Sequence, residues 1–145
     1  MRDFRPGSDL RDTARGMSRK NVEIVRGIYA EWEKGDFSSA EWADADIEYT
    51  PPSETRETRG LDAMARRWRD WLGAWKDFAA LPEEFIDAGD RVLVLTRFRG
   101  RGRGSGTPIT DFPGAALFTL RDGRVVRLIL YNDVREALEA AGLQE

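Results

Sequence analysis

The chain has 145 residues, 41% of them hydrophobic and 34% charged, so it is long and apolar enough to form one domain with its own core. It contains no cysteine and no histidine, which excludes disulfides, thiolate metal sites and a Ser-His-Asp triad. Any catalysis would use Asp, Glu, Tyr, Lys or Arg, and we expect no metal and no cofactor. The net charge of −3 argues against a dedicated nucleic-acid binder. Because no apolar run reaches membrane-spanning length, we expect a cytoplasmic protein without a membrane partner.

The first third of the chain favours helices. Residues 1–17 are polar and aperiodic, so we expect a flexible extension there, followed by a domain over residues 18–145 that begins with Ser18 as a helix N-cap. Apolar residues recur at helical spacing over residues 22–32, and Gly35 supplies a stop. The capping-box spacing of residues 38–41 predicts a short second helix that carries Trp42.

The middle of the chain predicts a short strand and a third helix. Residues 46–50 favour a strand, which the two prolines at 51 and 52 end. From Gly60 onwards apolar side chains recur on one helical face as far as Trp75, which predicts an amphipathic helix.

The second half of the chain predicts four consecutive strands, over residues 78–86, 91–103, 112–121 and 124–131. Asp122 and Gly123 form a two-residue connection for which a type I′ turn is favoured. A last short helix is expected to begin at Asp133, with Glu136 three residues on, and to end at Gly142.

Helices followed by a strand meander predict an α+β fold, with three N-terminal helices packed on the concave face of a curved antiparallel sheet and a short C-terminal helix. Such a sheet encloses a cavity against the helices. Aromatic side chains of the helices are expected to line or fill it: Tyr29, Trp32, Trp42, Trp68 and Trp71.

Several stretches of the sequence are similar to a known superfamily. Residues 31–37 (EWEKGDF) and 45–49 (ADIEY) resemble the opening of the nuclear transport factor 2-like superfamily. Residues 116–127 (ALFTLRDGRVVR), 131–133 (YND) and 136–138 (EAL) resemble its SnoaL-like branch. The resemblance covers residues 18–143 and implies a cone-shaped fold with an internal apolar pocket, forming a homodimer through the outer face of the sheet. This scaffold carries isomerases, cyclases, epoxide hydrolases, dehydratases and non-catalytic binders, so the resemblance specifies a fold rather than an activity.

The ketosteroid isomerase chemistry of this superfamily does not fit the chain. Its general-base carboxylate would stand directly before Pro51, where this sequence has Thr50. Its tyrosine position falls on Ile28, with Tyr29 one residue further and turned by about 100° around the helix. Its oxyanion acid falls at about Ala116, so the catalytic set is missing.

The epoxide hydrolase and polyketide cyclase chemistries of the superfamily leave one arginine and two acidic residues as candidates. Arg97 matches the bridging arginine of the limonene epoxide hydrolase pattern, but Arg99 and Leu130 stand where its aspartates belong, which excludes that chemistry. The polyketide cyclases of the SnoaL-like branch use a pocket acid or a histidine, and the nearest acids are Asp111 and Asp133. Asp111 also fits a solvated acid at the entry of a strand, and Asp133 also fits a helix N-cap.

The direction of Arg97 decides its role. On an alternating strand Arg97 shares a face with Leu93 and Leu95. If this face points into the cone, Arg97 enters the pocket and would pair with a carboxylate of the protein or of a ligand. Otherwise it pairs with a protein acid or lies on the outer face near the dimer contact. The Arg-Gly run over residues 99–106 resembles RNA-contacting segments, but in an acidic chain we favour a loop that gates the mouth of the cone.

The sequence therefore predicts a protein that binds a small, mostly apolar molecule, aromatic or polyketide-like, and not a nucleic acid. The expected pocket residues are Arg97, Tyr29, Trp32, Tyr49, Trp68 and Phe118. The alternative is an enzyme, a cyclase, isomerase or hydrolase, with Asp111 or Asp133 as the base and a tyrosine as the acid. A third interpretation is an assembly partner whose pocket is filled by its own side chains.

Overall fold

The computed structural model describes residues 6–34, 41–51, 56–102 and 110–143. Within these residues the helices and strands are α1 (Pro6–Glu33), β1 (Ala43–Thr50), β2 (Thr58–Arg59), α2 (Leu61–Gly73), β3 (Trp75–Ala88), β4 (Arg91–Gly102), β5 (Thr110–Arg121), β6 (Arg124–Tyr131) and α3 (Val134–Ala140). In this part of the chain no helix has both the length and the apolar character needed to cross a membrane. The cytoplasmic location stays a prediction.

The six strands form one sheet in the order β2-β1-β6-β5-β4-β3. Strands β3 to β6 are the antiparallel meander that the sequence predicts. The sheet differs from the expected antiparallel one in a single pairing, because β1 runs parallel to β6. Parallel neighbours need a long connection, and the chain between β1 and β6, with α2 and the four strands β2 to β5, supplies it.

Bulges bend this sheet. The pairing of β3 with β4 shifts register between residues 76 and 79 and again between 82 and 84, and the pairing of β5 with β6 shifts between 119 and 120. Each bulge adds a residue to one strand and so increases its local twist and bend. The curved α+β architecture predicted from the sequence is confirmed.

The N-terminal helices differ from the prediction in detail. α1 begins at Pro6, a residue favoured at the first helical position, so Ser18 lies within the helix and not at its N-cap. The flexible extension over residues 1–17 and the domain boundary stay predictions. Of the expected second helix, residues 38–40 lie outside the described residues, and Trp42, which it was to carry, lies in a turn directly before β1. The described residues therefore contain two helices before the meander, α1 and α2, where the sequence predicts three.

Two turns show why the meander forms. Asp122 and Gly123 have φ angles of 52° and 79°, and two successive positive values define the predicted type I′ turn between β5 and β6. Gly89 has a φ of 81° in the turn between β3 and β4. The backbone N–H of Leu120 donates to the carbonyl oxygen of Asp90 over 2.8 Å, which joins the ends of the two hairpins.

The inner face of the sheet packs on α1 and α2. From β4 it presents Val92, Val94 and Phe98. The buried residues of this inner core are Val25, Ile28, Tyr29, Trp32, Ala43, Ile47, Tyr49, Met64, Ala80, Val92, Val94, Phe98, Ala116, Phe118, Leu120, Val125, Leu128 and Leu130. Their apolar area is the main stabilisation of the fold.

The outer face of the sheet carries a second, smaller core beneath α3. Its buried residues are Leu93, Ala115, Leu117, Ala137 and Ala141. Arg91 fixes the end of α3 from β4, because its Nη1 and Nη2 donate to the carbonyl oxygens of Ala140 and Ala141 over 2.9 and 3.1 Å. Both faces of the meander are therefore apolar.

Both ends of α3 are capped as the sequence predicts. Oδ1 of Asp133 accepts hydrogen bonds from the backbone N–H groups of Arg135 and Glu136, over 2.9 and 3.4 Å. At the other end Gly142 has a φ of 76°, the left-handed conformation in which glycine commonly ends a helix.

A carboxylate with two arginines ties three strands together on the outer face. Oε2 of Glu48 accepts from Nε and Nη2 of Arg127 over 2.9 and 2.7 Å, and Oε1 accepts from Nη2 of Arg59 over 2.6 Å. The hydrogen bonds of Arg127 are the largest cause that lowers the pKa of Glu48, and the positive charge of both arginines adds to it. This arrangement connects β6, β1 and the two-residue β2.

Candidate ligand-binding site

A small cavity lies between the helices and the inner face of the sheet. Its volume is about 10 Å³, which is about the space of one water molecule. The described residues that line it are Tyr29, Trp32, Trp68, Trp71, Phe78, Ala80, Phe98, Phe112, Leu130 and Asn132. Seven of these ten are aromatic and none carries a charge.

Five of the six predicted pocket residues come together here. Tyr29, Trp32 and Trp68 line the cavity. Tyr49 packs edge-on against Trp68, with ring centroids 5.7 Å apart, and Phe118 packs edge-on against Tyr29 at 6.0 Å. The last two therefore support the lining from behind.

The helical wall of the cavity is built from rings in mutual contact. Tyr29 and Trp32 of α1 have centroids 4.8 Å apart in an edge-to-face arrangement. Trp32 meets Trp68 of α2 at 5.4 Å. Contacts of this kind are favourable beyond the area that they bury, so in this structure the rings fill most of the interior themselves.

The opposite wall comes from the sheet and was missed by the sequence reasoning. Phe98 of β4 stacks with Phe78 of β3, with centroids 6.0 Å apart and an interplanar angle of 22°. Phe112 of β5 meets Phe98 at 5.4 Å. The alternation of β4 could have indicated this wall, since it sets Phe98 on the face opposite Arg97.

Among the described lining residues, one carries a hydroxyl group and one carries an amide. Burial raises the pKa of the Tyr29 phenol far above its ordinary value, because a phenolate would lose its hydration among apolar rings. Its hydroxyl therefore stays protonated and can donate a hydrogen bond. Asn132, directly after β6, contributes an amide to the lining, and sequence reasoning did not select it.

Arg97 lies on the outer face of the sheet, away from the cavity. Its Nε donates to Oδ1 of Asp111 over 2.8 Å, and Nε of Arg99 lies 3.7 Å from Oδ2 of the same carboxylate. Arg99 is paired directly with Asp111 across β4 and β5, so the two side chains share a face. Of the two directions open for Arg97, the structure shows the outward one, with a protein acid as partner.

The two candidate acids do not line the cavity. Asp111 is engaged with the two outer-face arginines, and the carboxylate of Asp133 caps α3. Leu130, where an epoxide hydrolase would need an aspartate, does reach the cavity with its apolar side chain. The described part of the chain also contains no group of three or more acidic residues placed to hold a metal ion. Residues 103–106 of the Arg-Gly run are outside the described residues, so the gating loop stays a prediction.

A larger cleft opens elsewhere, between α1 and the tips of the two hairpins. Its volume is about 760 Å³, and its walls include Lys20, Asn21, Asp90, Arg121 and Asp122. This cleft is open and carries charges of both signs, whereas small-molecule sites are mostly enclosed and apolar. The aromatic cavity therefore remains the better candidate.

Comparison with known protein families assigns the chain to one of them. The family model of the SnoaL-like domain matches residues 25–128, and the chain belongs to this family. A curated NAD(P)H-hydrate epimerase from Cereibacter sphaeroides (strain KD131 / KCTC 12085) is 37% identical over 75 residues. That match covers 50% of this chain and 33% of the relative, so the chain spans about a third of that protein.

Solved structures agree with the family at the level of the fold. A proposed SnoaL-like polyketide cyclase from Jannaschia sp. CCS1 superposes with a TM-score of 0.72 at 19% identity, over 100% of both chains. TerC, co-crystallised with polyporic acid, superposes with a TM-score of 0.67 at 19% identity, over 85% of this chain and 98% of TerC. At these identities the likeness shows the nuclear transport factor 2-like fold alone.

Proposed function

We propose that the chain binds a small, neutral aromatic or polyketide-like molecule in the cavity between its helices and its sheet. One observation carries the proposal: among the described residues the lining has seven aromatic side chains and no charged one. A ring-bearing ligand would replace contacts that the wall rings now make with each other, and it would add its own buried apolar area.

The absence of charged side chains from the described lining indicates that the ligand is neutral. With Arg97 on the outer face, no described lining residue offers a positive partner for a carboxylate. Burying an unpaired anion is costly, so the polar group of the ligand is expected to be neutral. The protonated hydroxyl of Tyr29 would donate to a carbonyl or hydroxyl oxygen of that ligand.

The size of the cavity sets how the ligand enters. A volume of about 10 Å³ is far below the roughly 300 Å³ of ordinary ligand pockets. Binding therefore requires some wall rings to move apart, and the bound form is a minor state of the free chain that the ligand stabilises.

Binding is favoured over the enzymatic alternative. Acid–base catalysis by Asp111 or Asp133 requires a carboxylate within hydrogen-bond reach of the substrate. Both are held by partners away from the cavity. The homodimer through the outer face of the sheet stays a prediction of the family resemblance.

Titration calorimetry with 2-naphthol and 2-naphthoate at pH 7 tests the proposal. We expect saturable binding of the neutral naphthol and at least about tenfold weaker binding of the anion. Trp68→Leu is expected to weaken naphthol binding because Trp68 lines the cavity. Tyr131→Leu is the control, since Tyr131 packs against the smaller core on the outer face and is not among the described lining residues. No binding of naphthol, together with a native mass spectrum free of any retained small molecule, would overturn the proposal.

A further inference from the structure

One ring of the cavity wall rests directly on a glycine. An ideal Cβ placed on Gly114 would lie 2.4 Å from Cε2 and 2.9 Å from Cδ2 of Phe98, and 2.9 Å from the carbonyl oxygen of Tyr131. Real Cβ atoms do not approach other heavy atoms so closely. The ring of Phe98 can therefore occupy its place only because residue 114 has no side chain.

The position of this ring defines a slot on the inner face. β4 lies between β3 and β5 in the sheet. Phe98 leans from β4 towards β5, onto Gly114, and its stacking partner Phe78 stands on the other side, on β3. The absence of a side chain at Gly114 thus lets Phe98 lie further from Phe78 than a Cβ there would allow, and both rings line the cavity.

We infer that a planar aromatic ring of the ligand inserts between Phe78 and Phe98, and that Gly114 determines this specificity by fixing the position of Phe98. The inference rests on the proposed function and narrows it to flat, unsaturated ligands. Saturated molecules of the same size are thicker and lack the ring face on which stacking depends.

The distance between the rings sets the smallest movement that the slot needs. A ring held between two others requires about 7 Å between the outer rings, because stacked carbon atoms approach to about 3.5 Å. The centroids of Phe78 and Phe98 are 6.0 Å apart, and the gap between the ring planes cannot exceed this distance, so the two rings have to separate by at least roughly 1 Å. A methyl group at position 114 would push Phe98 towards Phe78 by roughly the same distance and close the slot.

Two probes of equal skeleton test this inference by calorimetry on the full chain. 2-Naphthol is flat, and decahydro-2-naphthol carries the same carbon framework and hydroxyl in saturated form. We expect the native chain to bind naphthol at least tenfold more tightly than the saturated alcohol. Phe98→Leu should reduce this ratio to about one, because leucine keeps most of the volume but offers no ring face.

The glycine has its own matched comparison. Gly114→Ala should weaken naphthol binding by at least tenfold, whereas Gly73→Ala should not change it, since a Cβ on Gly73 meets nothing within 4 Å. Circular dichroism confirms that each variant is folded. If G114A does not fold, the ratio of the two affinities in F98L is the measurement that tests the slot.

The results separate the inference from the function on which it rests. Equal affinity of the native chain for the two probes, or an unchanged ratio in F98L, would overturn the planar slot and leave small-molecule binding in place. Failure of the native chain to bind either probe would overturn the planar slot, and together with a native mass spectrum free of any retained small molecule it would overturn the proposed function as well. A ratio of ten that falls to one in F98L supports both.

Discussion

Replacement of Tyr29 by phenylalanine should make the chain more resistant to alkali. Tyr29 is 2% exposed, and burial raises the pKa of its phenol far above the ordinary value of about 10. Below pH 10 the phenol is protonated in both the folded and the unfolded chain, so its titration adds nothing to the pH dependence. Above pH 10 the unfolded chain releases this proton and the folded chain keeps it, which favours unfolding.

The size of the effect follows from the proton count. One proton held by the folded chain alone lowers the free energy of unfolding by about 1.4 kcal/mol per pH unit. Between pH 10 and 11.5 the native chain should lose about 2 kcal/mol that the Tyr29→Phe variant retains. Ionisation of the other basic and phenolic groups affects the two proteins equally and cancels in the difference.

Urea unfolding at pH 7, 9, 10, 11 and 11.5, followed by tryptophan fluorescence, measures this difference. Tyr131→Phe is the matched control, because Tyr131 is only partly buried and the pKa of its phenol is raised less, by burial and by the charge of Glu136. Its difference from the native chain should be smaller at every pH above 10. Parallel stability curves for the native chain and Tyr29→Phe would refute the argument from burial.

Three further substitutions test the charged groups outside the cavity. Glu48→Gln should lower the free energy of unfolding by about 1 kcal/mol at pH 7, since two arginines lose their ionic partner. Because the pKa of Glu48 is lowered in the folded chain, this contribution is present above pH 4 to 5 and is lost as the pH falls below about 4. Urea unfolding of both proteins at pH 3 to 7 measures the difference. Asp133→Ala should cost about 1 kcal/mol through loss of the N-cap of α3, whereas Asp133→Ser should restore most of it in the same assay. Arg97→Ala should leave the affinity for 2-naphthol unchanged in calorimetry. It should lower the free energy of unfolding by less than about 1 kcal/mol, because its ion pair with Asp111 is solvent-exposed. Weaker binding of 2-naphthol by this variant would show that Arg97 contributes to the binding site.

The antiparallel meander could be predicted because its signals are local. The Asp122-Gly123 pair, the alternation of the flanking strands and the cap at Asp133 each depend on a few neighbouring residues, and all three appear in the structure. The parallel pairing of β1 with β6 could not be predicted in this way. It joins residues about 80 positions apart, and no short pattern records which distant edge a strand will meet.

The direction of Arg97 was left open for a different physical reason. Hydrophobic alternation identifies the inner face of a sheet only when the other face is polar. Here α3 covers the outer face, so Leu93 is as well buried as Val92, and both faces of β4 are apolar. The informative signal was further along the strand, where Asp111 stands directly across from Arg99 and sets two opposite charges on one face.

Because α3 covers the outer face, the chain has two cores, and the free energy needed to open them differs. The inner core is broad and tied to both long helices, whereas the outer one depends on a seven-residue helix held by its caps, by Arg91 and by small alanine contacts. A short segment with few apolar contacts detaches by local unfolding far more often than the whole domain unfolds. Amide protons of α3 should therefore exchange with solvent at rates set by this local opening. Those of β4 and β5 should exchange only through global unfolding and therefore more slowly.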